Sequence, residues 1–439
     1  MKIDRNNLAV LTENEDLNAL LIECAGKKGV FVPKGTYKTG PITIPSHTHL
    51  VFEDGAKLVF SDDFEGYEPV KTRWEGVNCW AMHPCFFIEK ASDVVIEGHG
   101  ILDGNGKKWW EKVLSWKNSG RGEGPTLPIE KTLASLNPDY QNQPGGGGGR
   151  PCQFLRPPLL QILNSDGVKI DGLTLTNSPF WTCHTVTSKN LVLKNLHIVN
   201  PYDSPNTDGM DIESCQNVKV TDSLVEVGDD GIAVKSGNGK EMMKYGASEN
   251  VVIENCTIKA AHGGFVIGSE TAGGVKNIEV KDCRFLGTDR GVRIKTRRRR
   301  GGTIENIRVR DIYMEDVSCP VAINEFYNCG NCLESDFSLE KQPIEEDTPC
   351  VRNILIENVN AVKGRGVAAF IAGLPEQRIT NLEIKNSSFE ILPEIKEDLM
   401  VEMYQGIPDS DYRGIRVFFA DIKVENVKVN TEPPVLIEM

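Results

Sequence analysis

The sequence predicts an all-β fold, a right-handed single-stranded parallel β-helix of about ten coils, built as one domain over residues 1–439. Three observations carry this. A six-residue pattern (Asn or Asp, apolar, any, apolar, any, Asn or Asp) recurs at residues 190–195, 217–222, 250–255, 277–282, 306–311, 353–358, 381–386 and 421–426. The interval from one start to the next is mostly 23 to 33 residues, the period of a solenoid rather than of a domain. Long helical periodicity is missing, while the alternating apolar residues of each unit mark a strand with one buried face. A unit this short buries that face only by stacking on its neighbours.

In chain order, Thr12-Glu13-Asn14-Glu15 reads as a capping box that opens an amphipathic helix reaching about Cys24. With the first strands, from Gly29 to Thr43, it makes residues 1–45 an N-terminal cap over the open end of the solenoid. Glycine-tolerant forms of the repeat follow at 93–98 and 167–172. Asn and Asp at the ends of each unit suit turns, because both tolerate a left-handed backbone. Between those forms, residues 105–156 are long and strand-poor, with Trp109, Trp110 and a glycine run from Gly145 to Gly149. They read as a loop insertion beside the functional groove, and the glycine run as mobile. Residues 324–350 read as a second loop insertion.

Bulk composition narrows the function. The chain has 39% hydrophobic and 25% charged residues, as in a soluble globular protein. No apolar run approaches the roughly 20 residues needed to cross a bilayer. The net charge of −13 argues against a nucleic-acid partner, which needs a basic face. Lys295-Thr296-Arg297-Arg298-Arg299-Arg300 interrupts that acidic background as a solvated loop, a targeting or nucleic-acid run, or a cradle for an anionic substrate. Residues 1–7 lack the apolar stretch of a secretory signal, so a cytoplasmic location is expected unless a signal was removed. The 12 cysteines lack the spacing of a disulfide scaffold. Cys329 and Cys332 together with Cys319 and Cys350 could form a four-thiolate zinc set or disulfides, but the flanking spacings are irregular and no metal or cofactor is assigned.

The chemistry is concentrated in two short aspartate clusters, Asn206-Thr207-Asp208-Gly209 and Gly228-Asp229-Asp230-Gly231. Asp208 and Asp229 are 21 residues apart, about one coil, which stacks three carboxylates on one face. His262 follows one coil later, and Arg293-Ile294-Lys295 after that, with Arg293 and Lys295 on the same side of their strand. Carboxylates so placed can supply a proton to a leaving oxygen and activate a water, as acetal hydrolysis requires. The cations then suit an acidic polysaccharide.

At these residues the chain resembles the polygalacturonase family of glycoside hydrolases, family 28, most closely its bacterial exo-acting members. Asn206-Thr207-Asp208-Gly209, Gly228-Asp229-Asp230, His262-Gly263-Gly264 and Arg293-Ile294-Lys295 carry the resemblance. Val32-Pro33-Lys34-Gly35-Thr36-Tyr37, Leu102-Asp103-Gly104-Asn105-Gly106 with Trp109-Trp110, and Asn177-Ser178-Pro179-Phe180-Trp181 extend it. Gly228 stands where many fungal members have glutamine, and Ala261 replaces the first glycine of Gly-His-Gly. Both departures resemble bacterial members, as do Arg73-Trp74-Glu75-Gly76, Gly268-Ser269-Glu270 and Arg300-Gly301-Gly302.

The resemblance implies a right-handed parallel β-helix and inverting hydrolysis of α-1,4-galacturonosyl bonds in pectic oligogalacturonides, from the non-reducing end. It implies Asp229 as general acid, Asp208 and Asp230 as the groups that hold and deprotonate water, and His262 as the residue tuning the acid. Arg293, Lys295, Tyr327, Asn206 and Glu270 are then the substrate-binding residues. Alternatives are a family member acting on rhamnogalacturonan or xylogalacturonan, a non-catalytic β-helix binding module, and a calcium-dependent lyase.

Overall fold

The computed structural model describes residues 7–12, 15–120, 124–142, 153–394 and 401–439. A twelve-stranded sheet takes its strands in strict chain order from Ile42–Thr43 to Val435–Ile437, each parallel to the next. A 21-stranded sheet wraps the other sides. The result is a right-handed parallel β-helix with slightly more coils than the ten expected. Among the described residues no helix is long and apolar enough to cross a membrane.

The repeat explains the stacking residue by residue. Val218, Val251, Ile278, Ile307, Ile354 and Leu382 are successive partners in register, each 2% exposed or less, and form one aliphatic column through the core. The leading Asn of each unit has φ between 53° and 58° at 190, 217, 250, 277, 306, 353 and 381. Asparagine reaches this left-handed region more readily than most residues. Its side chain then donates to the same residue one coil back: Asn217 Nδ2 to Asn190 Oδ1 (3.1 Å), Asn306 to Asn277 (3.0 Å) and Asn381 to Asn353 (2.9 Å), with the intervening steps alike. Each such bond contributes about 1 kcal/mol net.

Four departures from the sequence reading have local causes. The cap helix is Leu17–Cys24, and its N-cap is Asp16, which accepts from Asn18 N at 2.9 Å. Thr12 N does bond Glu15 Oε2 (3.2 Å), but in a turn ahead of the helix rather than as its cap. The first strand after that helix, Gly29–Val32, pairs in parallel with His49–Phe52 and so continues directly into the solenoid. Residues 105–156 are not a plain loop. Helices Lys107–Asn118 and Pro128–Leu136 bury Trp109, Ile129 and Leu133, with Trp109 packed at 4.5 Å from the Phe64 ring. The glycine run at 145–149 lies outside the described residues.

The third departure is an antiparallel hairpin, Pro69–Trp74 with Val77–Met82, a separate two-stranded sheet packed on the solenoid through Thr72–Gln161 and Arg73–Glu213. The fourth is a strap at residues 401–405. Tyr404 bridges Tyr327 in antiparallel fashion, Asn328 N donates to Met403 O (3.1 Å), and Gln405 N donates to Phe326 O (3.2 Å). The second insertion is held down by the arginine run, which is buried rather than solvated apart from the partly exposed Arg299. Arg298 pairs with Glu376 (2.6 Å) and donates to Asp336 O and Ser338 O, Arg299 pairs with Asp336, and Arg300 donates to Cys329 O (3.0 Å).

Candidate active site

Three backbone bonds align the predicted residues. Gly209 N donates to Asp230 O (2.9 Å), which places Asp208 one coil from Asp230. His262 N donates to Asp229 O (2.9 Å), and Arg290 N to His262 O (3.3 Å), adding the next two coils. Strand register then sets Arg293 beside Val266 and Lys295 beside Gly268. Carboxylate oxygens of Asp208, Asp229 and Asp230 lie within 4.8 Å of one another.

Their surroundings differ sharply. Asp230 is 1% exposed and accepts from Lys295 Nζ (2.6 Å) and Arg293 Nη1 (3.1 Å). Burial opposes its charge, but those two cations hold its carboxyl far below the usual range. Asp229 accepts from the Asp230 amide (2.9 Å) and meets His262 Nδ1 at 3.2 Å. Burial is again outweighed, here by the imidazole, so Asp229 is lowered and His262 raised. Asp208 is the opposite case. Burial first, then the Asp229 and Asp211 carboxylates, hold it well above the usual range, and its Oδ1 has no hydrogen-bond partner among the described residues.

The other residues expected at the site lie as follows. Tyr327 is 5% exposed, and the Arg293 and Lys295 cations lie 5.7 and 5.4 Å from its ring. Asn206 stands at φ 54° and accepts from Arg156 Nη2 (3.2 Å). Glu270 does not join the aspartates. It accepts from Lys235 Nζ (3.0 Å), faces Arg300 at 3.7 Å, and is lowered to about 2, with Lys235 and Arg300 overcoming burial. Cys319, Cys329, Cys332 and Cys350 are free thiols that form no metal-binding group among the described residues. The group with metal-like spacing among the described residues is the aspartate trio itself.

Four functional residues lay outside the sequence reading. Glu402, on the strap, grips Arg293 with both oxygens (2.7 and 2.6 Å). Its carboxyl is lowered to about 2, the Arg293 pair overcoming burial. No motif flags it, since it reaches the site from 109 residues away. Lys235 and Asp211 form a buried pair at 3.4 Å behind the trio, with Asp211 pushed up to about 8 by burial. Alternation within Met210–Glu213, with Asp211 and Glu213 interleaved with the core residues Met210 and Ile212, was a usable signal for Asp211. Arg156 donates to Pro205 O (2.8 Å), Pro179 O and Asn206, bracing the segment that leads into Asp208.

These shifts predict a two-sided stability profile. Asp230, Glu270 and Glu402 are depressed, so their contribution is full above the unfolded value near ~4 and is lost as pH falls toward about 2. Asp208, Asp211 and His262 are raised. Their contribution is full below the unfolded values (about 4 for the carboxyls, about 6.5 for His262) and declines as pH rises through the folded ones. Tm should therefore peak in the mildly acidic range and fall on both sides. A flat profile from pH ~3 to ~8 would contradict it.

A parallel β-helix whose coils bring three aspartates, a histidine and two cations to one face has the machinery of an enzyme that cleaves glycosidic bonds. The chain belongs to the glycosyl hydrolases family 28, whose model matches residues 149–386, and it is a glycoside hydrolase. It is 27% identical over 380 residues to "Probable polygalacturonase" of Vitis vinifera, covering 85% of this chain and 69% of that one. Of two Arabidopsis thaliana relatives, Polygalacturonase QRT2 and the product At3g15720, each 29% identical, it spans 54% and 46% of the length. The hyperthermoactive exopolygalacturonase of Thermotoga maritima superposes with a TM-score of 0.72 at 27% identity, over 94% of this chain and 86% of that one. The family 28 exopolygalacturonase of Yersinia enterocolitica gives a TM-score of 0.70 at 16% identity, over 98% and 77%, a likeness of fold.

Proposed function

We propose that the protein is a polygalacturonase that hydrolyses α-1,4-galacturonosyl bonds of polygalacturonate and its oligomers, from the non-reducing end and with inversion. The observation that carries this is the aspartate trio within 4.8 Å, flanked by the His262, Arg293 and Lys295 cations. Asp229 serves as general acid. It is the most accessible of the three carboxyls, and the only one paired with an imidazole that can resupply its proton. Asp208 and Asp230 hold and deprotonate the water. The exo reading draws support from the hairpin and from helix Lys107–Asn118, which line a cleft together with Asn206 on one side of the site. The Thermotoga relative named an exopolygalacturonase points the same way, whereas an endo-polygalacturonase of Pectobacterium carotovorum is 26% identical.

Close carboxylate oxygens, one from each aspartate within 4.8 Å of the others, make a retaining course the second stereochemical reading. Product analysis by NMR on defined oligogalacturonides, with EDTA present, tests both readings at once. The expected result is galacturonate monomer from the first time points, released as the β-anomer. A ladder of oligomers would overturn exo action, and an initial α-anomer would overturn inversion.

A further inference from the structure

Cys329-Gly330-Asn331-Cys332 sets two of the 12 cysteines three residues apart, the closest spacing in the chain, and neither the coil repeat nor the hydrolysis uses it. Most of the other described thiols are buried, Cys215, Cys256 and Cys283 among them. Cys329 and Cys332 are instead half-buried, in a segment whose Asn328, Gly330, Asn331 and Leu333 are exposed. The backbone bends at Gly330 (φ 78°) and again at Asn331. This folds Cys332 Sγ to 3.5 Å from both Cys329 O and Gly330 O, over the residue that carries the other thiol. A thiol is a weak donor, so leaving those two carbonyls costs it little.

Reactive thiols occur in partly exposed, electropositive surroundings. Arg297 and Arg299 both lie within electrostatic reach of Cys332. Arg300 donates to Cys329 O (3.0 Å) and Arg297 to Asn331 O (2.9 Å). Asp336 faces the same arginines, but it is held by Arg299 Nε (2.7 Å) and the Leu333 amide (2.8 Å). The segment also leads straight into the active site. Tyr327, whose ring faces Arg293 and Lys295, comes two residues before Cys329. Asn328 N donates to Met403 O (3.1 Å), and Met403 follows Glu402, which grips Arg293 (2.6 Å). Closing a ring across residues 329–332 alters the torsions of the segment on which both contacts hang.

We propose that Cys329 and Cys332 are a redox-active dithiol whose intramolecular disulfide lowers activity, by shifting Tyr327 and the strap against Arg293. The effect on activity rests on the polygalacturonase reading above. The oxidant is a small-molecule disulfide, and the step is thiol–disulfide exchange. Cys332 Sγ, as thiolate, attacks one sulfur of the reagent and releases one thiol. Cys329 Sγ then attacks Cys332 Sγ, closes the bridge and releases the second. The protons of the two protein thiols end on the two released thiols, and the reagent takes up both electrons. The test treats the whole chain with excess oxidised glutathione, alkylates the remaining thiols and maps the peptides by mass. A bridge between Cys329 and Cys332, with the loss of two hydrogens, is the expected product. On trigalacturonate kcat/KM should fall by about tenfold or more, since displacements of about 1 Å in such sites cost up to about 10²-fold, and should return with dithiothreitol. Cys329→Ser should stop at a glutathione adduct on Cys332, and Cys332→Ser should keep its activity in oxidised glutathione. Either variant serves should the other not fold. Free thiols at both positions in the treated wild type, or a bridge that leaves kcat/KM unchanged, would overturn the switch. Absence of hydrolysis by the reduced wild type would defeat the polygalacturonase reading instead, and not the dithiol, which the mass map decides.

Discussion

Asp229→Asn is expected to lower kcat on polygalacturonate by about 10³-fold or more while leaving Tm unchanged or raised. General acids contribute roughly 10²–10⁴-fold, and an amide has no proton to give a leaving oxygen. The structural part of the side chain survives, since an amide oxygen can still accept from the Asp230 backbone at the position Asp229 Oδ1 occupies, 2.9 Å away. Stability should not suffer, because Asp229 ranks first among the charged groups that raise Asp208, and neutralising it relieves that repulsion. Activity and stability are therefore predicted to move in opposite directions, which a merely structural aspartate would not do. Near-wild-type turnover, or a cooperative unfolding transition shifted well down, would sink the assignment.

The second large effect is expected at Glu402. Removing one partner from a buried pair leaves an uncompensated charge and typically costs about 3–5 kcal/mol. Arg293 is 2% exposed, and when Glu402 becomes alanine its one remaining ion-pair partner among the described residues is Asp230, so Tm should drop by several degrees. The released guanidinium can swing toward Asp230 and disturb the pairing that Lys295 shares. A displacement of about 1 Å in such a site lowers activity by about 10²-fold, so kcat should fall with stability. Glu402→Asp, one methylene shorter, should restore part of the stability and less of the activity. Wild-type kcat in Glu402→Ala would mean that the strap covers the site without organising it.

Much of the architecture was legible because a solenoid writes its period into the chain. Asn217, Asn250 and Asn277 announce their turns individually, and Val218 or Ile278 their buried face, so the coil-to-coil adjacency of Asp208, Asp230 and His262 follows from counting. Elements that leave the solenoid were not legible. The hairpin at 69–82 and the strap at 401–405 are held by contacts over long separations, such as Arg73 with Glu213 (140 residues) and Arg293 with Glu402 (109 residues), and no local pattern encodes these. The ion pairs around the site were hidden for the same reason. Arg293 and Lys295 read as substrate cations, and in the folded chain both also bond Asp230, with Arg293 bonding Glu402 as well. The helices of the first insertion were hidden by its glycines and prolines, although Trp109 and Leu133 are what anchor it.

The asparagine ladder has a consequence for how this molecule can vary. Adjacent rungs are separated by as few as 24 residues, from Asp166 to Asn190, and by as many as 47, from Asn306 to Asn353. Yet the side-chain bond across those two steps is 2.7 and 3.2 Å. Chain length and rise are therefore uncoupled: one corner of each coil is a fixed rail, and surplus residues are extruded elsewhere. Whole helices or hairpins can be gained or lost there without shifting Asp208 against Asp229. Such a scaffold allows its substrate range to drift while the chemistry stays in place.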